Sequence, residues 1–154
     1  MRLRHQSVRK QETTRKDSGA ILVRGILTSP SDSRRRGPSL DAQTLARRIV
    51  EIASDKQASD IVLLDIRPVA TVADYFVIAS TMSDRQMTAV VRDLEEILRE
   101  EAGIRPLRVE GVAASGWVLI DYGDVIVHLF SAEQRAFYRL EELWSTAVPL
   151  VRMQ

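Results

Sequence analysis

The chain contains no cysteine. Disulfide frameworks, thiolate zinc sites and cysteine nucleophiles are therefore excluded. Its 2 histidines, His5 and His128, are too far apart in the sequence to mark an imidazole metal cluster. No apolar run approaches the roughly 20 residues a helix needs to cross a bilayer. Glycine and proline number only 7 and 5, which excludes a collagen-like or low-complexity chain. What remains is 154 residues, 45% hydrophobic and 28% charged, enough for one folded domain with an extension.

The net charge of +1 conceals an asymmetry. Residues 1–38 carry 10 Lys and Arg against 3 Asp and Glu, a balance of +7, whereas residues 39–154 carry 12 against 18, a balance of −6. The basic part lacks sustained periodicity and ends in Ser31-Asp32-Ser33-Arg34-Arg35-Arg36-Gly37-Pro38, the composition of a solvated linker. The domain boundary is therefore expected near Ser39. Residues 1–38 read as a basic, disordered N-terminal extension or a misassigned start, as an organelle transit peptide, or as an RNA-contacting arm. Glu12, Asp17 and Asp32 count against the transit reading, because such peptides avoid acids.

From Ser39 onward the pattern is regular. Leu45, Ile49 and Ile52, with Ala42, Ala46 and Ala53, recur at helical spacing and predict a helix from Ser39 to about Lys56. The apolar run Asp60–Ile66 predicts a strand covered on both faces, and Tyr75–Ser80 predicts a second strand. Ser83-Asp84-Arg85-Gln86 is a capping box opening a helix whose stripe is Met87, Val90, Val91, Leu94, Ile97 and Leu98, with Gly103 as its stop. Leu107–Val109 follows Pro106 as a short edge strand. Ser131-Ala132-Glu133-Gln134 caps a last helix, with Ala136, Phe137, Leu140, Leu143 and Trp144 as its buried stripe and Pro149 beyond its end. The expected order is α-β-β-α-β-β-β-α, an α/β class with a mixed five-stranded sheet.

The segment Trp117–Phe130 is the most informative. Its two strands flank Tyr122-Gly123, read as a two-residue hairpin loop. That loop sets Asp121 opposite Asp124, Leu119 opposite Ile126 and Trp117 opposite His128 on one face, with Val118, Ile120, Val125 and Val127 on the other. The first face gathers a large aromatic, an imidazole and two acids. It is either covered by a second helical layer, with His128 a hydrogen-bonded core residue, or it is an exposed partner-docking surface anchored by Trp117. A catalytic reading is the weakest, because Asp60, Asp65, Asp74, Asp121 and Asp124 each have a turn or strand-end explanation. No Asp-x-Asp pair, P-loop, Gly-x-Gly-x-x-Gly or Gly-x-Ser-x-Gly occurs. No catalytic, cofactor or metal residue is expected, and the chain does not read as an enzyme.

Lys56-Gln57-Ala58-Ser59-Asp60-Ile61, Asp74-Tyr75-Phe76-Val77-Ile78-Ala79-Ser80, Ser83-Asp84-Arg85-Gln86, Glu110-Gly111, Trp117 through Phe130 and Arg135-Ala136-Phe137-Tyr138-Arg139-Leu140-Glu141-Glu142-Leu143-Trp144 follow one another in order. In this succession the chain resembles the Iojap-like family, the ribosomal silencing factors, over about residues 40–147. The resemblance implies a fold related to nucleotidyltransferases without their catalytic acids. It implies binding to the large ribosomal subunit through its fourteenth protein, steric exclusion of the small subunit and repression of translation. Relatives in organelles imply large-subunit assembly as an alternative role, and a nucleotide-handling enzyme of the same ancestry is the alternative from another class. The expected docking residues are Trp117, Leu119, Asp121, Asp124, Ile126 and His128, extended by Asp74 and Tyr75. Further expectations are ribosomal RNA contact by the basic tail, a homodimer off the ribosome, no membrane and no small-molecule substrate. The expected location is the bacterial cytoplasm, or a mitochondrion or plastid if residues 1–38 are a transit peptide.

Overall fold

The first helix among the described residues, α1, spans Ala42–Asp55 and starts where Asp41 accepts the Thr44 N–H at 2.8 Å. Its stripe of Leu45, Ala46, Ile49, Val50, Ile52 and Ala53 is buried, as the spacing predicts. The computed structural model containing it describes residues 40–154, so the expectations about residues 1–38, and Ser39 as a helix start, lie outside the described residues. Helix α2, Asp84–Ala102, begins where Ser83 Oγ accepts the Gln86 N–H at 3.0 Å and ends at Gly103, whose φ of +67° suits glycine. The return half of the capping box differs from expectation. Gln86 Oε1 accepts from Met82 N–H rather than from Ser83, while its Nε2 donates to the carbonyls of Lys56 and Gln57. One side chain thus fastens the start of α2 to the end of α1.

The strands are β1 (Ser59–Asp65), β2 (Tyr75–Thr81), β3 (Arg108–Glu110), β4 (Trp117–Asp121), β5 (Val125–Ser131) and β6 (Val148–Met153). They form one sheet in the order β3-β4-β5-β2-β1-β6. Only β2 and β5 pair in parallel. The α/β class with a mixed sheet holds, but the sheet has six strands rather than five. The sixth, β6, holds Pro149, which lacks an N–H and is tolerated because β6 lies at the sheet edge. Strand β3 is displaced by one residue from the expected Leu107–Val109.

The last helix is also corrected. Helix α3 (Ala132–Tyr138) stops at Arg139, which has a left-handed φ of +47°, and a one-turn α4 (Leu140–Leu143) follows. Leu140 is buried and Trp144 half-buried, but Ala136, Phe137 and Leu143 face outward; Phe137 and Leu143 are each 73% exposed. An unbroken helix would have put all five on one side.

The β4–β5 hairpin is closed by Tyr122 N–H donating to the Val125 carbonyl at 2.9 Å, so its loop is Gly123-Asp124, with Gly123 at φ +93°. Trp117 consequently pairs with Phe130, Leu119 with His128 and Asp121 with Ile126, two residues from the expected register. Because side chains alternate with a period of two, that shift leaves every residue on its expected face. Val118, Ile120, Val125 and Val127 pack with α1 and α2 in one apolar cluster. Val62, Leu64, Ile66, Phe76, Ile78, Ile126 and Phe130 form a second cluster on the opposite face, joined by Leu140, Trp144, Trp117 and Leu119.

Candidate partner-binding face

The second face of the sheet is built around aromatic rings. Trp117 stacks on Phe130 at 5.0 Å between ring centroids and meets Tyr138 of α3 at 4.5 Å. Its indole Nε1–H donates to Nδ1 of His128 at 3.3 Å. His128 in turn meets the Phe76 ring edge-on at 4.8 Å, and Phe76 meets Trp144 at 5.4 Å. Strands β2, β4 and β5 and the α3–α4 segment therefore supply one continuous aromatic network.

Burial divides this network. His128 is only 4% exposed, and its Nε2 has no hydrogen-bond partner. Burial pushes its pKa down to about 4, so the imidazole is neutral at ordinary pH. Because Nδ1 accepts from the indole, the ring proton is assigned to Nε2. Ile126 is buried as well, whereas Trp117 and Leu119 are half-buried and form the accessible part of the sheet face. The covered reading therefore holds for His128, which is core, while Trp117 lies at its margin.

The acids lie at the rim. Asp121 Oδ1 accepts the Gly123 N–H at 2.8 Å, and Oδ2 sits 3.5 Å from the Arg108 guanidinium. Asp124 is exposed, and its carbonyl accepts the N–H groups of Asp74 and Tyr75 at 2.8 and 3.1 Å. Burial, reinforced by the Asp124 carboxylate, holds the Asp74 carboxyl above the usual carboxylate range. Asp74 and Asp124 are thereby joined as one acidic corner beside the hairpin turn.

Tyr75 is the exception. It is 2% exposed and belongs to the cluster under α1 and α2, on the opposite face from Trp117. Its neighbour Phe76 faces the aromatic network instead, because adjacent strand residues point to opposite sides. Phe76, Phe130, Tyr138 and Trp144 were absent from the expected set. Phe130 was recoverable from the period of two running through Ile126 and His128; Tyr138 and Trp144 were not, since their placement depends on the break at Arg139.

Among the described residues no group of three His, Cys, Asp or Glu side chains could hold a metal ion. No helix among them is long and apolar enough to cross a membrane. The arrangement can recognise a partner: an aromatic and aliphatic centre with anionic groups along one side.

Residues 39–154 match the family model described as "Ribosomal silencing factor during starvation". A ribosomal silencing factor of Zymomonas mobilis is 37% identical over 118 residues, covering 77% of this chain and 88% of that protein. The mouse mitochondrial assembly of ribosomal large subunit protein 1 is 32% identical over 136 residues, covering 80% of this chain and 60% of that protein. The crystal structure of a Bacillus halodurans protein superposes with a TM-score of 0.61 at 36% identity, covering 71% of this chain and 98% of that chain.

Proposed function

Since this chain belongs to the ribosomal silencing factor family, we propose that it binds the large ribosomal subunit through its fourteenth protein and blocks subunit joining, repressing translation. The observation that carries the reading is Trp117, half-buried yet fixed on three sides by Phe130, His128 and Tyr138. A rigid aromatic at an accessible margin binds with little further loss of side-chain entropy, the property of an interface anchor. Leu119 continues the apolar centre, and Asp121, Asp124 and Asp74 provide an anionic rim suited to a basic ribosomal protein. Ile126 and His128 support the face from inside. The balance of −6 over residues 39–154 disfavours docking of the domain on bare RNA phosphates. The +7 of residues 1–38 suits contact with nearby ribosomal RNA.

The test is sedimentation of the full chain with separated subunits, beside a folded Trp117→Ala variant. Co-migration with the large subunit and suppressed joining by the wild type, with an affinity loss of roughly thirtyfold or about 2 kcal/mol in the variant, supports the reading. A wild type that migrates with neither subunit overturns it. Removing residues 1–38 should flatten the salt dependence of binding; an unchanged slope discards the RNA contact. The mouse relative's name supports large-subunit assembly as a second role for the same contact.

A further inference from the structure

The stripe Ala136, Phe137, Leu140, Leu143 and Trp144 has the spacing of one unbroken amphipathic helix, yet the chain breaks at Arg139 and turns Phe137 and Leu143 outward. A non-glycine residue in the left-handed region is disfavoured, so something must hold the break. Arg135 and Glu141 do. The Arg135 Nε and Nη2 both donate to Glu141 Oε2, the first at 3.1 Å. In a straight helix, residues six apart point about 240° around and about 9 Å along the axis, too far apart for this pair. The ion pair therefore exists only in the broken form. Arg135 is itself moored, because Nη1 donates to the Asp60 carbonyl and to Ser80 Oγ. Helix α3 buries no residue of its own. Its attachments to the sheet are this guanidinium, the Ser131 cap and Tyr138 lying on Trp117.

We propose that Ala132–Trp144 is a two-state hinge, with Arg139 as pivot and Arg135–Glu141 as latch. Latched, it displays Phe137, which meets Tyr138 against Trp117, together with the exposed Leu143; unlatched, it forms a straight helix that withdraws Phe137 and Leu143 onto the sheet. The display role rests on the docking reading above; the hinge does not. Straightening would add N–H bonds from Leu140 and Glu141 to the carbonyls of Ala136 and Phe137, bonds that do not occur in the broken form.

Two substitutions bias the pivot in opposite directions, and a third weakens the latch. Arg139→Gly removes the left-handed penalty and favours the latched form, Arg139→Ala favours the straight helix, and Glu141→Gln loosens the ion pair. On the full chain, amide hydrogen exchange at Leu140 and Glu141 is expected to be slower in Arg139→Ala and Glu141→Gln than in Arg139→Gly. Large-subunit affinity is expected to fall roughly fivefold from the glycine to the alanine variant, with melting checked to show both fold. Equal exchange at these two amides in all three variants overturns the hinge. Ordered exchange with equal affinities overturns the display role alone. A wild type that does not bind the large subunit overturns the docking reading, while exchange still decides the hinge.

Discussion

Trp117 and His128 form a single hydrogen-bonded unit, the indole N–H donating to the imidazole Nδ1 at 3.3 Å across β4 and β5. Protonating His128 would convert that acceptor into a donor and place a charge in the core. Its folded pKa of about 4 lies below the ordinary 6.5, so the unfolded chain takes up the proton first as pH falls. The stabilisation is complete above pH 6.5 and is lost between 6.5 and about 4, amounting to about 3 kcal/mol. His128→Phe should flatten that part of the pH profile. Denaturant melts of both proteins at pH 7 and pH 4.5 check this; identical slopes would show that His128 does not titrate as described.

Gln86 joins three backbone groups that lie 29 to 30 residues away or just before its own helix, at Lys56, Gln57 and Met82. Gln86→Ala should lower stability by about 1–2 kcal/mol, read as a fall of several degrees in melting temperature. Gln86→Glu keeps the acceptor for Met82 and loses the donors to α1. A drop close to that of the alanine variant shows that the tie to α1 dominates, and no drop in either variant removes it from the account.

The fold was readable wherever local pattern and tertiary position agree. The capping residue Ser83, the stripe of α2 and the alternation along Trp117–Phe130 all state their structure in short windows. The hairpin register was not readable, because Tyr122-Gly123 and Gly123-Asp124 are both acceptable loops. The faces survived because the two registers differ by an even number of residues. Strand β6 was hidden by Pro149, an edge-strand residue that reads locally as a stop. The placements of Phe137 and Leu143 were hidden for a different reason. They follow from the break at left-handed Arg139, which no helical periodicity encodes.

Gly111 precedes the 3-10 turn at Ala113–Ser115 that leads into β4, and it has a φ of +88°. A Cβ there would stand 2.3 Å from the Trp117 carbonyl oxygen, a backbone atom with no freedom to yield. Gly111→Ala should therefore lower stability by about 2 kcal/mol or more and shift the Trp117 fluorescence, since β4 must move. Gly103→Ala is the control: its φ is also positive, but an added Cβ meets nothing within 4 Å. There the loss should be about 1 kcal/mol, with unchanged emission. Equal effects at both positions would mean that backbone strain, rather than the approach to Trp117, sets the requirement for glycine.

Adjacent residues on β4 separate docking from folding. Leu119 is half-buried on the aromatic face, whereas Val118 is 3% exposed beneath the helices. Val118→Ala should lower stability by about 1–3 kcal/mol and leave the large-subunit affinity of the folded fraction unchanged. Leu119→Arg places a cation at the apolar centre of the proposed interface and opposite a basic partner, so binding should weaken by roughly thirtyfold or more. Its long stem can still lie along the sheet margin, which should keep the loss in melting stability small. Titration of large subunits with both variants checks the assignment. If Val118→Ala loses affinity while Leu119→Arg binds normally, the docking surface lies on the helical side and Trp117 is only a packing residue.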